Sequence, residues 1–242
     1  MIPSIIPSII LLVLGAAMSV VFIVSKVTNY SLKTIIFKTI ASLFFVALGI
    51  LDFCLNPKGY FLFKLFTVLG LFFGMLGDFF LGFKYITNGK VKKAWILIGM
   101  FAFAFGHVFY IAGILTGFYV PGNAIFIVLP FVLPLVFIGV YMLIARKVGI
   151  NFGKGMLPFG IFYLYCLSSM VFSSLCMAIL HQFALPTLIM FLVGAVFFAS
   201  SDMMLTGAYF KEGKRSKTYM ATYSVFYYIA QFVIAFSIFF LV

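Results

Sequence analysis

Eight apolar runs, each long enough to cross a lipid bilayer, follow one another along this sequence of 242 residues. A transmembrane helix needs about 20 predominantly apolar residues, and each run meets that length. The runs cover residues 3–25, 34–54, 61–83, 94–118, 123–145, 155–180, 186–209 and 219–241. In lipid the backbone must satisfy its own hydrogen bonds, so runs of this length predict helices rather than the short alternating strands of a barrel. We predict an all-α, polytopic membrane protein with eight transmembrane helices in a single domain.

The composition agrees with a lipid environment and argues against a nucleic-acid partner. Hydrophobic residues make up 66% of the chain and charged residues only 8%, whereas a soluble domain carries about 25% charged residues. The net charge is +12, but most lysines and arginines lie in short loops, without a basic helix or a stacking platform around them. We therefore predict no nucleic-acid binding.

The positions of the basic residues predict the orientation in the membrane. The first, third, fifth and seventh loops contain Lys26, Lys33, Lys84, Lys90, Lys92, Lys93, Arg146, Lys147, Lys154, Lys211, Lys214, Arg215 and Lys217. The even-numbered loops contain only Lys58. Because basic residues favour the cytoplasmic side, we expect a multi-pass protein of the cell membrane with its odd-numbered loops cytoplasmic and both termini outside.

A shift of 124 residues aligns spans three and four with spans seven and eight without a gap. The shift places Gly70 on Gly194, Phe73 on Phe197, Asp78 on Asp202, Leu81 on Leu205, Tyr85 on Tyr209, Gly89 on Gly213, Lys90 on Lys214, Lys93 on Lys217 and His107 on Gln231. Since the two copies lie four spans apart, they have the same direction in the membrane. This pattern predicts two parallel four-helix repeats, about 1–118 and 119–242, with chance similarity among apolar residues as the alternative.

Four acidic residues occur in the chain, and two of them lie well inside spans rather than at a span end or in a loop. Asp52 near the end of span two and Glu212 in a loop are expected to be solvated. Asp78 and Asp202 fall within the apolar runs, where an ionised aspartate costs about 3 kcal/mol. Both are therefore expected to face the interior of the bundle, as functional groups or as interhelical hydrogen-bond partners.

Polar and small residues recur at helical spacing on several spans. Gly70, Gly74 and Asp78 form one stripe on span three, which predicts close helix packing on the face that carries the acid. The other stripes are Phe103, His107 and Tyr110 on span four, Tyr165, Ser169 and Ser173 on span six, and Ser224, Tyr228 and Gln231 on span eight, with Tyr227 beside them. For His107 a simple interhelical hydrogen bond is the alternative to a functional role.

Lys38 lies about one turn inside span two, near the predicted depth of Asp78. Three interpretations are open: an ion pair with Asp78, a contact to a phosphate group, or extension of the side chain to the membrane surface.

Metal chemistry is disfavoured by the sequence. Cys54, Cys166 and Cys176 lack metal-site spacing and are interpreted as buried inert thiols, and two histidines remote from each other do not form a ligand set. We predict no metal and no cofactor. Two kinds of function remain possible for the carboxylates: acid and base catalysis, or transport of ions or protons.

Four strings on spans three, four, seven and eight resemble the YhhN-type lysoplasmalogenase family, which includes the animal lysoplasmalogenases. They are GMLGDFFLG at 74–82, FAFGHVFYIAG at 103–113, FFASSDMML at 197–205 and FYYIAQFVIAF at 226–236. The family's Gly-Asp and Ser-Asp motifs fall on Gly77 and Asp78 and on Ser201 and Asp202. Its His-x-x-Tyr and Tyr-x-x-Gln motifs fall on His107 and Tyr110 and on Tyr228 and Gln231. The chain departs from the family pattern where Thr39, instead of proline, follows the basic Lys38.

The resemblance implies an eight-span enzyme that cleaves the vinyl ether bond of lysoplasmalogens. The products would be a fatty aldehyde and glycerophosphoethanolamine or glycerophosphocholine. Vinyl ethers hydrolyse after protonation of the β-carbon, which requires a carboxylic acid that is still protonated near neutral pH. We assign Asp202 as this acid and Asp78, if it is paired with Lys38, as the ionised partner.

The same hypothesis predicts one shared cavity for the two acids. Asp78 and Asp202 should meet there, opening to the cytoplasmic leaflet. The candidate substrate-binding residues are Lys38, His107, Tyr110, Ser201, Tyr227, Tyr228 and Gln231, with His107, Tyr110, Tyr228 and Gln231 lining the deeper part. The expected partners are a lysophospholipid and the bilayer. Two alternatives are a proton-coupled or lipid transporter that uses both acids, and a lipid-binding or scaffold protein without turnover.

Overall fold

The computed structural model of the protein describes residues 4–57, 59–151, 155–210 and 216–241. Within these ranges the chain forms eight α-helices, two short 3₁₀ segments and no strand. The helices are α1 (Ile6–Thr28), α2 (Leu32–Leu55), α3 (Phe61–Gly82), α4 (Gly89–Phe118), α5 (Ile125–Lys147), α6 (Leu157–Leu180), α7 (Pro186–Phe210) and α8 (Lys217–Phe236). The 3₁₀ segments are Phe83–Tyr85 and Ser237–Phe240. All eight helices are long and apolar enough to cross a membrane, which confirms the predicted class and number of spans.

Several helices extend beyond the predicted runs at one or both ends, because hydropathy marks only the part of a helix that suits lipid. Helix α4 begins at Gly89, five residues before the predicted run, so its first turns contain Lys90, Lys92 and Lys93. Lys26 likewise belongs to α1 and Lys84 to a 3₁₀ segment rather than to loops. Seven residues used in the predictions of orientation, repeat and acid environment lie outside the described residues: Lys58, Lys154, Lys211, Glu212, Gly213, Lys214 and Arg215.

Seven helices surround the interior, and α5 packs on the outside of α6. The neighbours around the bundle are α1 and α2, α2 and α3, α3 and α4, α4 and α6, α6 and α7, α7 and α8, and α8 and α1; α8 also packs on α2 and α3. Phe45, Phe103, Phe198 and Tyr227 fill the centre with edge-to-face ring contacts. These ring contacts bring α2, α4, α7 and α8 together around one interior region.

The predicted repeat stays a prediction, although the two halves share one packing detail. A Cβ atom on Gly106 of α4 would lie 3.0 Å from the carbonyl oxygen of Gly70 on α3. A Cβ atom on Gly194 of α7 would lie 3.0 Å from the carbonyl oxygen of Ala230 on α8. Both contacts fall at corresponding positions under the 124-residue shift. The α3–α4 and α7–α8 pairs therefore approach closely in the same register.

The glycine stripe on α3 makes room for side chains of the interior. A Cβ atom on Gly70 would overlap the ring of Tyr110, and one on Gly74 would lie 2.6 Å from the amide nitrogen of Gln231. One on Gly77 would meet the ring of Phe103. The close packing predicted for this face is present, and the space serves Tyr110, Gln231 and Phe103.

We predict that Gly70→Ala destabilises the protein by about 1–3 kcal/mol, because the rigid ring of Tyr110 must move to accept the new methyl group. Gly139→Ala is the matched control, since Gly139 lies within α5 and a Cβ atom there would meet nothing within 4 Å. Alanine is favoured over glycine inside a helix, so the control should be neutral or stabilising. Thermal unfolding of the purified variants measures both effects, and equal melting temperatures would contradict the packing argument.

Two predictions about single residues were wrong. Asp52 is fully buried rather than solvated, because Ser8 of α1 packs against it and donates a hydrogen bond of 2.5 Å to its carboxylate. Cys54 is exposed, whereas Cys166 and Cys176 are buried as predicted. A position near the end of a span therefore did not determine whether the side chain points into the bundle.

Candidate active site

The predicted acids lie at one open cavity with an empty volume of about 840 Å³, including its mouth. The cavity is near the end of the bundle where α1, α3 and α7 end and α2, α4 and α8 begin. Of the predicted site residues, Lys38, Asp78, Ser201, Asp202 and Tyr227 line it. The structure thus brings both intramembrane carboxylates to one cavity, as the sequence predicted.

Asp78 is held by three donors from two helices. The ammonium of Lys38 lies 2.8 Å from Oδ1, which identifies the ion pair among the three interpretations of Lys38. Ser42 and Tyr227 donate hydrogen bonds of 2.5 Å and 2.7 Å to Oδ2. Hydrogen-bond donors stabilise the anionic form of a carboxylate, and the stabilisation is greater when one of the donors is a cation.

Asp202 has a different environment. Its side chain accepts a hydrogen bond from the hydroxyl of Tyr163 on α6. The residue is 8% exposed, and within the described ranges no lysine or arginine forms an ion pair with it. Because a buried charge is costly unless it is paired, this environment favours the neutral acid. The two aspartates therefore have different environments. That of Asp78 suits the ionised partner, and that of Asp202 suits the acid.

Tyr163 is a residue that the sequence analysis missed. Tyr165 on the same helix was predicted instead, but its hydroxyl donates to the carbonyl of Phe131 on α5, 3.1 Å away. A signal for Tyr163 did exist, since the 124-residue shift places residues 162 and 163 on Lys38 and Thr39. In both halves, then, the second helix supplies the partner of the aspartate.

A hydrogen-bonded chain of buried side chains lies behind the wall of the cavity. Tyr110 donates to Oε1 of Gln231 at 3.0 Å, and the Gln231 amide donates to the Tyr227 hydroxyl at 3.0 Å. Tyr227 in turn donates to Asp78. This chain runs from α4 through α8 to α3 and fixes the orientation of the Asp78 carboxylate.

The structure corrects the predicted role of four residues in lining the cavity. His107, Tyr110, Tyr228 and Gln231 are almost fully buried and are not among the side chains that form its wall. The Nε2 atom of His107 lies 3.3 Å from the Tyr163 hydroxyl, and Tyr228 donates to the Lys38 carbonyl at 3.3 Å. His107, Tyr228 and Gln231 contact residues that hold the acids, and Tyr110 contacts Gln231. None of the four reaches the cavity, because the rings of Phe103, Phe198 and Tyr227 fill the centre of the bundle.

Two further lysines belong to this region. Lys26 of α1 lines the cavity, donates to the Ser224 hydroxyl at 2.6 Å and lies over the Tyr223 ring. Lys84 is buried with its ammonium 3.0 Å from the centre of the Tyr209 ring, and it has no hydrogen-bond partner among the described residues. Both are among the basic residues from which the orientation in the membrane was predicted. Together with Lys38 they place three lysine amino groups at the end of the bundle that contains Asp78.

Within residues 4–57, 59–151, 155–210 and 216–241, no group of three or more histidine, cysteine, aspartate or glutamate side chains is placed to hold a metal ion. The titratable groups that line the cavity are carboxylates, phenols and lysines.

The fold and the cavity define a class: an eight-helix membrane protein with two unlike carboxylates at one interior site. The chain belongs to the YhhN family, whose model matches residues 33–238. This family includes lysoplasmalogenases, so the resemblance found in the four sequence strings is confirmed. Comparisons with curated proteins and with solved structures found no match.

Proposed function

We propose that the protein is a membrane hydrolase that cleaves the vinyl ether bond of lysoplasmalogens. The observation that carries this proposal is the unlike pair of carboxylates at one cavity: Asp78 in an ion pair and Asp202 bonded to a neutral phenol. Membership of the YhhN family supports the same reaction. The substrate would be a lysophospholipid with an alkenyl chain, taken from the bilayer.

Asp202 supplies the proton in the slow step. Its carboxylic acid transfers a proton to the β-carbon of the vinyl ether, and the ether oxygen and the neighbouring carbon become an oxocarbenium ion. The Asp202 carboxylate then accepts a proton from a water molecule as that water adds to the cationic carbon. The resulting hemiacetal breaks its bond to the glycerol oxygen, which takes up the hemiacetal proton. One water molecule is consumed, the products are an aldehyde and a glycerophospho-alcohol, and Asp202 is again protonated.

Asp78 acts through its charge. Lys38 donates to one of its oxygens, and Ser42 and Tyr227 donate to the other, so it is poorly suited to give or take a proton. A fixed negative charge in a water-poor site stabilises a developing cation because no reorganisation is needed at the moment of reaction. Asp78 is therefore the electrostatic partner of the oxocarbenium ion in this proposal.

The lysines supply the site for the phosphate of the head group. Lys26 and Lys38 line the cavity, and Lys84 lies against Tyr85 and Tyr209, which also line it. Phosphate groups are recognised by lysine ammonium groups as point charges. A bound phosphate would also supply the anionic partner that the amino groups of Lys26 and Lys84 lack among the described residues.

The test is aldehyde release by purified protein from a lysoplasmalogen. A lysophospholipid with an ester in place of the vinyl ether is the control and should yield no aldehyde. A chelator should leave turnover unchanged, and activity lost with the chelator and restored by Zn²⁺ would contradict the proton-transfer mechanism. Absence of aldehyde release would overturn the proposed function, and proton or lipid flux in sealed vesicles would then favour the transporter.

The orientation predicted from the basic residues can be tested at the loop that borders the cavity. In a variant without native cysteines, Lys90→Cys at the start of α4 should react with an impermeant thiol reagent only after cells are permeabilised. Asn123→Cys, in the described loop between α4 and α5, is the control and should react in intact cells. The reverse pattern would place the cavity mouth at the outer leaflet.

A further inference from the structure

Three neighbouring cavities form a series that begins at the lysines and ends between α5, α6 and α7. The central cavity, described above, shares Tyr163 and Asp202 with a smaller one of about 380 Å³ between α4, α5, α6 and α7. This intermediate cavity shares Leu164, Leu167 and Met203 with a crevice of about 520 Å³ between α5, α6 and α7. Adjacent cavities thus have walls in common, and Asp202 lies where the first two meet.

The crevice is suited to hydrocarbon. Its wall is formed by aliphatic, aromatic and methionine side chains together with Ser168 and Ser200. Both hydroxyls are occupied by their own helices, since Ser168 donates to the Leu164 carbonyl at 2.6 Å and Ser200 to the Val196 carbonyl at 2.8 Å. The crevice therefore offers no free hydroxyl hydrogen to a polar ligand. Val196 in its wall is 47% exposed, so the crevice reaches the outer surface of the helix bundle.

The chemical order along the three cavities matches the order of groups along one substrate molecule. Lysines lie at one end, Asp202 at the junction, and apolar side chains at the other end. A lysoplasmalogen has its phosphate at one end, its vinyl ether next and its hydrocarbon chain beyond. We propose that the crevice between α5, α6 and α7 binds the alkenyl chain of the substrate, and that its side chains set the chain length the enzyme accepts.

The inference rests on the proposed function and adds the direction in which the substrate chain runs from Asp202. From Asp202 to Val196 is six residues of α7, or about 9 Å along the helix axis, away from the end where the lysines lie. The chain would run toward the middle of the membrane while the phosphate stays near the surface. Helix α5 packs mainly on the outer side of α6. It forms the outer wall of the crevice through Phe137.

The test uses two matched substitutions on α7. Val196→Phe narrows the crevice, whereas Val193→Phe adds the same group at an exposed position outside it. For Val196→Phe, the ratio of kcat/KM for a long-chain lysoplasmalogen to that for a short-chain one should fall at least about tenfold, because a filled pocket excludes additional methylenes. Val193→Phe should keep the ratio of the unmodified protein. Ala199→Phe, nearer to Asp202, should exclude still shorter chains than Val196→Phe does.

A second measurement separates this inference from the proposed reaction. A lysophospholipid with a saturated alkyl ether and a photoreactive group at the end of its chain cannot be cleaved as a vinyl ether. After irradiation, peptide mapping should find the label on α5, α6 or α7, and Val196→Phe should reduce it. Label on α1, α2 or α8, or an unchanged chain-length ratio, would overturn the chain site even if aldehyde is released. Label in the crevice without aldehyde release would retain the site and reject the reaction.

Discussion

Replacing Asp202 with asparagine should reduce the rate of aldehyde release by about 10²-fold to 10⁴-fold, which is the usual contribution of a positioned general acid. Asparagine keeps the volume and can still accept a hydrogen bond from Tyr163, but it cannot transfer a proton to carbon. Binding of an uncleavable alkyl-ether analogue should change little. The loss should therefore appear in kcat rather than in the dissociation constant, which titration with the analogue measures.

The chain offers a matched control for this variant. Asp52 is also a buried aspartate in a spanning helix with a hydroxyl donor, but it does not line any of the three cavities. Asp52→Asn should retain turnover. If Asp52→Asn and Asp202→Asn lose activity equally, loss of a buried carboxyl group in general, rather than loss of the acid, would explain the result.

Replacing Asp78 with asparagine should impair both stability and turnover. Lys38 would lose its partner, and breaking a buried ion pair from one side costs about 3–5 kcal/mol. Turnover should fall by at least about 10²-fold because the fixed negative charge near the oxocarbenium ion is removed. Thermal unfolding and aldehyde release, measured on the same preparation, report the two effects.

A second substitution separates the two effects of Asp78→Asn. Lys38→Met in the same chain removes the unpaired ammonium and should recover most of the lost thermal stability. It should not recover turnover, because the charge at position 78 is still absent. Recovery of turnover together with stability would show that Asp78 only holds the fold, and the electrostatic role would then be wrong.

Most of the fold could be predicted because length and apolarity alone identify a helix that crosses a membrane. The positions of Asp78 and Asp202 followed from the same reasoning, since a carboxylate inside a span must face protein. The ion pair of Lys38 with Asp78 was one of three interpretations, and the close packing of α2 on α3 selects it. These predictions required only the depth of a residue in the membrane.

What could not be predicted depends on the rotation of each helix about its axis. Tyr163 and Tyr165 are two residues apart, which corresponds to about 200° around α6. Both faces of such a helix are apolar, one against lipid and one against protein, so hydropathy does not distinguish them. Ser8 and Asp52 illustrate the same problem, because their contact depends on which face α1 turns toward α2.

The lysines show a different difficulty. Lys26 and Lys84 were counted with the loops because a basic residue at the end of a span usually points to the aqueous phase. Their long apolar stems let the ammonium groups turn back over the Tyr223 and Tyr209 rings instead. The direction of a flexible side chain at a helix end is set by its tertiary neighbours.

The position of Asp202 between a lysine-containing cavity and an apolar crevice also bears on how the products separate. In the proposed reaction the bond that breaks lies at this boundary, so cleavage leaves the glycerophospho-alcohol entirely on the polar side and the aldehyde entirely on the apolar side. Each product then leaves toward the phase in which it dissolves, water for one and the bilayer for the other. Neither must pass the acid on the way out, and a reactive aldehyde would be released into lipid, away from the lysine amines of the cavity.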